Sequence, residues 1–442
     1  MIESIQSFFS LDKLTELARS TKFVQRVSML TAEKFLDLLF KDASTERGLT
    51  LREYSNELVC VHGVSISAQA VHDRFNDYAV KFVQKLLSIV FSTRISCSFD
   101  DSFLNGYSSI RIWDSTKLEL PAHLKTDFPG FGGNASQAGI SIQYRYDLKN
   151  RTGCSLDVYP ATFSDSDYTK KISVDENSLE IFDLGYVSAD FLIRLQKGKS
   201  HYVCRLHGRT TAYNTDGTPV GFKETYLWMQ KNKISVYEKN VLVGEKRFPS
   251  RMVLYLVNEQ TYQKRLRKLT KESKEKGLNV RDETKMRLRF NIMLTNTDTE
   301  VIPTEKVYLL YKFRWQIELI FKSWKSSGWN IDKIKDFKYE RYMCVLYAKL
   351  LMIVLSDRIY SLIAKERYRE DKKILSPCKC VKTLRGQIDL ARKLINATAE
   401  TIHQILDKIN GLFLRGHVLC PRKNRANYQE LFDLFICKTE QL

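Results

Sequence analysis

Four residues with acidic, basic and phenolic side chains recur at helical spacing around position 318. Tyr311, Arg314, Glu318 and Lys325 are three, four and seven residues apart in the segment YKFRWQIELIFKSWK. If one helix carries them, 100° per residue places them on an arc roughly 60° wide, beside a separate apolar face. Such a stripe would hold an acid next to an anionic substrate, although a surface helix with ordinary charge pairs has the same offsets.

Two aspartates far upstream are the candidates to join Glu318. Asp114 and Asp183 each stand at the end of a predicted strand, where a single Asp is usually a turn former. If the three acids converge, they are catalytic residues that also bind Mg²⁺ or Mn²⁺. Two such ions about 4 Å apart support phosphodiester exchange without a side-chain nucleophile. Asp190 is the rival for the second acid, and Asp183 is preferred because it directly follows an apolar run.

The charge of the chain indicates a polyanionic partner. Its 442 residues include 70 Lys and Arg against 51 Asp and Glu, which gives a net charge of +19 and a sequence pI near 9.4. Such an excess is typical of proteins that bind nucleic acid or an acidic membrane surface. The densest positive run, 264–289, fits either a DNA-backbone track or a solvated charged helix.

Several other classes of protein lack support. No P-loop, HExxH or GxSxG motif occurs, which disfavours a nucleotide-driven motor, a zincin and an α/β-hydrolase. No basic segment precedes an apolar run at the start, and the longest apolar stretch, 343–355, is interrupted by Lys349 and too short to span a bilayer. With nine scattered cysteines, these features predict a cytoplasmic protein that does not enter a membrane.

The N-terminal region, 1–95, is predicted to be a helical DNA-binding domain. A break at His62-Gly63 and a new helix over 67–89 resemble a helix-turn-helix, although an ordinary helical hairpin has the same pattern. In the first case the residues facing the DNA groove would be Gln69, His72, Arg74 and Asn76.

Further along, the periodicity changes from helix to strand and back, which predicts an α+β multidomain fold. A mixed sheet is expected over 96–206, a β-rich insertion over 207–288, and a return to the sheet and then a helix, Val301 to Trp324, within 289–335. Residues 336–442 are predicted to be a C-terminal helical region.

The spacing Tyr311-x2-Arg314-x3-Glu318-x6-Lys325 resembles the signature of the DDE transposases of the bacterial insertion-sequence "IS-four" type. The block from Asp183 to Tyr186 is similar to the one around that family's second aspartate, and Trp113-Asp114-Ser-Thr116 to the one around its first. The resemblance covers about 110–330. It implies an RNase H-like catalytic core interrupted by the insertion.

The resemblance also assigns roles. It makes Asp114, Asp183 and Glu318 the catalytic, metal-binding acids. It makes Tyr311, Arg314 and Lys325 contacts to phosphates of the transposon end, since their side chains all donate hydrogen bonds that phosphate oxygens can accept. Trp228, in the insertion, becomes the candidate to stack on a flipped base.

The sequence therefore predicts a DNA transposase that binds the terminal inverted repeats of an insertion sequence and cleaves and transfers strands with two divalent ions, Mg²⁺ or Mn²⁺. Its partners would be double-stranded DNA, as transposon ends and target, and a second copy in a homodimer, in a bacterial cytoplasm at the nucleoid. Two alternatives stay open: a metal-dependent nuclease without strand transfer, and an inactive transposase-derived DNA-binding protein.

Overall fold

The computed structural model describes residues 2–92, 106–133, 135–149, 152–325, 328–335, 337–371 and 373–418. The beginning of the predicted 96–206 segment and residues 419–442 of the predicted C-terminal region lie outside them. The strands are β1 (Ser109–Leu120), β2 (Ala138–Asp147), β3 (Thr152–Pro160), β4 (Ser178–Phe182), β5 (His201–Arg205), β6 (Ala212–Tyr213), β7 (Val236–Val243), β8 (Phe248–Leu256) and β9 (Phe290–Thr295).

The α-helices are α1 (Ile2–Phe9), α2 (Leu11–Ser20), α3 (Ala32–Ser44), α4 (Leu51–His62), α5 (Ala68–Arg74), α6 (Asp77–Ser92), α7 (Asp165–Lys171), α8 (Ala189–Lys197), α9 (Phe222–Lys231), α10 (Glu259–Glu275), α11 (Asp282–Arg287), α12 (Thr304–Lys312), α13 (Trp315–Trp324), α14 (Tyr339–Asp371), α15 (Pro377–Gly386), α16 (Ile388–Arg392) and α17 (Ala399–Leu414).

The chain divides into two compact units. Among the described residues, the helix-rich unit comprises 2–92 and the parts of 116–162 and 316–418 that the structure describes, and the sheet-rich unit comprises 106–115 and Phe163–Trp315.

The strands form a mixed sheet with the order β3-β2-β1-β4-β5-β9-β8-β7-β6. In the sheet-rich unit β1, β4 and β5 run parallel, β9 and β8 follow antiparallel, and the two-residue strand β6 ends the row. In the helix-rich unit β2 and β3 form an antiparallel pair. This mixed sheet with helical regions on either side in sequence confirms the predicted α+β fold and agrees with an RNase H-like core.

Local capping signals account for many helix ends. A capping box joins Thr50 and Glu53 at the start of α4, and Gly63 ends that helix in the left-handed conformation. Ser67 caps α5, as its position before an apolar run predicts. The predicted single helix over 67–89 is wrong, because the Asn76 side chain accepts from the N–H groups of Tyr78 and Ala79 and begins α6 instead.

The predicted single helix from Val301 to Trp324 is also wrong. The chain turns at Phe313 and Arg314, whose N–H groups bond to carbonyls three residues back, and this turn separates α12 from α13. Tyr311 therefore lies on α12 and Glu318 on α13, whereas the predicted stripe assumed one continuous helix.

The long helix α14 contains the apolar stretch 343–355. No helix among the described residues is long and apolar enough to cross a membrane. Lys349, which interrupts the stretch, is 2% exposed and donates to the carbonyls of Ala43 at 3.0 Å and Trp329 at 2.9 Å. Burial lowers the pKa of its ammonium group to about 8, since desolvation disfavours the charged form.

Lys349 should therefore make the stability of the protein vary with pH in the alkaline range. Between about pH 8 and the ordinary value of 10.5 the unfolded chain holds the lysine proton more tightly than the folded chain does. The free energy of unfolding should rise through this window by up to about 3 kcal/mol from this group. Urea unfolding of the wild type and Lys349→Met across the window measures the difference, and equal pH slopes would contradict it.

Candidate active site

Two of the predicted acids come together on neighbouring parallel strands, at the point where the pairing of β1 with β4 stops. β1 and β4 are in register through the pair Trp113 and Phe182, and Asp114 and Asp183 directly follow these two residues. Asp183 follows the last residue of β4, whereas Asp114 lies inside β1, which continues to Leu120, so the prediction that Asp114 ends its strand is wrong. The two strands are parallel and aligned up to these residues, which makes the two carboxylates neighbours in the sheet-rich unit.

Arg314 links the two aspartates. Its Nη1 donates to Asp114 Oδ2 at 2.8 Å, and its Nε lies 3.9 Å from Asp183 Oδ1. Arg314 is only 9% exposed, so these ion pairs form in a partly desolvated place where charge interactions are strong. The predicted phosphate contact is thus a cation that already balances part of the negative charge of the acidic pair.

Tyr311 completes the cluster from the last turn of α12. Its hydroxyl donates to Asp183 Oδ1 at 3.0 Å. Burial, followed by the nearby Asp183 carboxylate, raises the pKa of Tyr311 well above its ordinary value, so the phenol keeps its proton and stays a donor.

Glu318 and Lys325 belong to the helix-rich unit. Glu318 lies in the first turn of α13. Lys325 directly follows the end of that helix, is half-buried, and donates to the carbonyl of Lys117 at 3.0 Å. Burial lowers the pKa of the Lys325 ammonium group. The role of Glu318 as third acid stays a prediction.

The two aspartates suit a divalent cation by their chemistry. Carboxylate oxygens are the hard ligands that Mg²⁺ and Mn²⁺ prefer, and this pair already attracts a cationic side chain, that of Arg314. Within the described part of the chain, no three His, Cys, Asp or Glu side chains form a group that could hold a metal ion. The fit therefore rests on Asp114 and Asp183.

An aromatic cluster supports the strand ends below the acids. The ring of Trp113, next to Asp114, lies 5.7 Å from Phe182, 5.4 Å from Phe191 and 5.8 Å from Tyr186, centroid to centroid. Tyr186 closes the block that begins at Asp183 and is 1% exposed. Burial of these rings fixes the backbone on both sides of the acidic pair.

The rival acid Asp190 lies elsewhere. It stands in the first turn of α8 with 81% of its side chain exposed, and it pairs with Lys246. An exposed pair of this kind contributes little to stability.

The other predicted DNA contacts are spread over both units. In the helix-rich unit Gln69 is exposed and donates to Asp73 on its own helix, whereas Arg74 donates to the carbonyl of Leu30 at 2.6 Å and lies over the ring of Phe23. In the sheet-rich unit Trp228 is 46% exposed on α9. Their predicted contacts with DNA stay predictions.

Two residues near the site were missed from the sequence. Arg111 and Glu180 form a buried ion pair at 3.1 Å, and each stands three residues before one of the aspartates. The signal was present, because two apolar strands carry opposite charges at the same distance from Asp114 and Asp183. That equal spacing indicates the register of the strands.

Comparison with known proteins agrees with this geometry. Residues 106–355 match the family described as "Transposase DDE domain". The chain is 28% identical over 453 residues to the transposase for insertion sequence element IS231F of Bacillus thuringiensis subsp. israelensis, covering 98% of this chain and 94% of the relative. It is also 28% identical over 380 residues to the transposase for insertion sequence element IS1151 of Clostridium perfringens, covering 81% and 80%.

A more distant relative is the putative transposase InsL for insertion sequence element IS186A of Escherichia coli (strain K12). Its identity is 26% over 260 residues, which covers 57% of this chain and 65% of the relative.

Removal of the Arg314 side chain should destabilise the protein, because Asp114 and Asp183 would then repel each other without a neutralising cation. We expect Arg314→Ala to lower the free energy of unfolding by about 1 to 3 kcal/mol, less than for a fully buried pair because Asp183 is partly exposed. Lys246→Ala, which breaks the exposed pair with Asp190, is the control and should change it by less than about 0.5 kcal/mol. Equal effects in urea unfolding would show that Arg314 does not hold the aspartates in solution.

Proposed function

Because the chain belongs to the transposase DDE domain family, we propose that it binds the terminal inverted repeats of an insertion sequence and cleaves and transfers DNA strands there. The observation that carries the proposal is the placement of Asp114 and Asp183 side by side at one sheet edge, around the cation of Arg314. Two adjacent carboxylates that gather positive charge are what phosphodiester chemistry with divalent cations needs.

Asp114 and Asp183 would hold the divalent cations, with Glu318 of α13 as the third acid. We propose Mg²⁺ or Mn²⁺ and two ions, since the donors are carboxylate oxygens alone. When bound, the ions supply Lewis acidity and a deprotonated water or 3′-hydroxyl as nucleophile.

The chain's own residues bind and orient the DNA strand at this place. Tyr311 keeps its phenolic proton and can donate to a phosphate oxygen as it now donates to Asp183. The fork of Arg314 can take a phosphate in the same way once the aspartates are neutralised by other cations. Lys325 adds a third donor, and burial of its stem limits where the ammonium group can reach.

A surface for the DNA backbone is proposed on α10. Its exposed cations fall on an arc of about 120° at 100° per residue; they are Lys264, Arg267, Lys268, Lys271 and Lys274. Other cations of the same run are used internally, as Arg265 donates to the carbonyls of Leu288 and Phe290, both at 3.1 Å. The helix is thereby fastened to its unit while its basic face stays exposed.

Trp228 suits the proposed stacking role. Its ring is exposed and lies 4.8 Å from that of Tyr237, centroid to centroid, which leaves an aromatic surface for an extruded base. The N-terminal helices with Gln69 and Arg74 are proposed to bind the ends of the element, and the helices of 336–442 to carry the contacts of a homodimer.

Glu318→Gln should abolish cleavage of transposon-end DNA while leaving end binding largely intact, because it removes a carboxylate ligand and keeps the shape of the side chain. Cleavage of labelled end DNA with Mg²⁺ and a gel-shift titration measure the two properties. Glu305→Gln, an exposed residue of α12, is the matched control and should cleave as the wild type does.

Retained cleavage by Glu318→Gln would remove this residue from the site. Transfer of pre-cut ends by the wild type separates a transposase from a nuclease that only cuts. Binding without any cleavage by the wild type would indicate an inactive DNA-binding relative.

Replacing four lysines of the α10 face by glutamine should weaken DNA binding and make it less sensitive to salt. Each lost phosphate contact lowers the slope of log K against log salt concentration by about 0.9, so up to about 3 to 4 is expected for Lys264, Lys268, Lys271 and Lys274 together. Substitution of the same lysines by arginine keeps the charge and should keep the slope. An unchanged slope in the glutamine variant would show that this face is merely solvated.

A further inference from the structure

A buried carboxylate joins the two strands that carry the aspartates. Glu180 of β4 is 2% exposed. Its Oε1 accepts from Arg111 Nη1 at 3.1 Å, and its Oε2 accepts from Trp113 Nε1 at 2.6 Å, both donors being on β1. Ser178, two residues earlier on β4, donates to Oε1 at 2.8 Å. Glu180 therefore spans two alternate residues of the neighbouring strand.

The pairing of β1 with β4 needs an interaction that fixes its register. β1 and β4 are parallel, so no short hairpin fixes their register, and their connection contains two further strands and a helix. Both strands are buried and rich in apolar residues, so a shift by two residues would still place apolar side chains on the same faces.

A shift of this kind would separate the acidic pair. Two residues of a strand span about 6.6 Å. Asp114 and Asp183 would then lie too far apart for one guanidinium group to reach both, as Arg314 does now. In the observed register Arg111 is opposite Glu180, and a register shifted by two residues would separate this buried pair, although Arg111 also contacts Asp175.

We infer that Glu180 is a positioning residue that fixes the register of β1 against β4 and thereby sets the spacing of Asp114 and Asp183. The inference rests on the proposed function, in which these aspartates hold a divalent cation. Glu180 acts through the strands and does not touch the substrate. A buried ion pair often adds little net stability compared with an apolar pair of similar size, whereas it excludes registers that leave it unpaired.

Binding of Mn²⁺ to the full chain without DNA tests this inference. The binding is measured by the loss of the electron paramagnetic resonance signal of the free ion. Two variants are compared: Arg111→Met with Glu180→Leu, which keeps apolar volume, and Glu180→Gln, which keeps the acceptor for Trp113. Both are expected to weaken Mn²⁺ binding by about 10- to 100-fold, the usual effect of disturbing residues behind metal ligands. Near-ultraviolet circular dichroism checks that each variant folds. If the double variant does not fold, the result with Glu180→Gln decides.

The control is a buried ion pair in the helix-rich unit. Asp37 and Arg392 are 2.6 Å apart, with 9% of each side chain exposed, and Asp37→Leu with Arg392→Met should keep the Mn²⁺ affinity of the wild type, whatever its effect on thermal stability. Asp114→Asn should lose Mn²⁺ binding. If it does but the Glu180 variants bind like the wild type, the positioning role is overturned and the proposed function stands. If the wild type does not bind Mn²⁺, or if Asp114→Asn binds it like the wild type, the assignment of a metal site fails as well.

Discussion

The parallel pairing of β1 with β4 is the constraint on which the acidic pair depends. An aspartate follows the last paired residue of each strand, and the register that aligns Trp113 with Phe182 brings the two carboxylates together. Like charges so close repel each other, and Arg314 offsets that repulsion from the turn between α12 and α13. The acidic pair and the side chains that bind it are thus built from segments about 130 to 200 residues apart in sequence.

Much of this could be predicted from residue patterns, and the failures have a common cause. Alternating apolar residues ending in an acid located β1, β4, Asp114 and Asp183, since both signals are local. The break after Lys312 could not be seen in the periodicity, because the apolar pattern of Leu310, Phe313 and Ile317 runs through it, and the pairing of Arg314 with Asp114 joins residues 200 positions apart. The break before α6 was local and could have been found from the capping preference of Asn76.

The positive charge of the chain serves two purposes. Part of it is internal: Arg287 donates to the carbonyls of His207, Gly208 and Thr210, and Arg251 is 7% exposed and bonds to Glu238. The remainder lies on surfaces such as α10. Net charge alone overstates the cations available to an anionic partner, and burial separates the two groups.

The shortness of β6 has a consequence for how this border of the sheet meets another chain. The sheet ends there with two residues, Ala212 and Tyr213, whose outer neighbour is a single bridge from Tyr213 to Pro219. Proline has no backbone N–H to offer, and so short a border gives an approaching strand little to extend. β6 covers only Leu242 and Val243 of β7, so this protection is confined to that end of the outer strand.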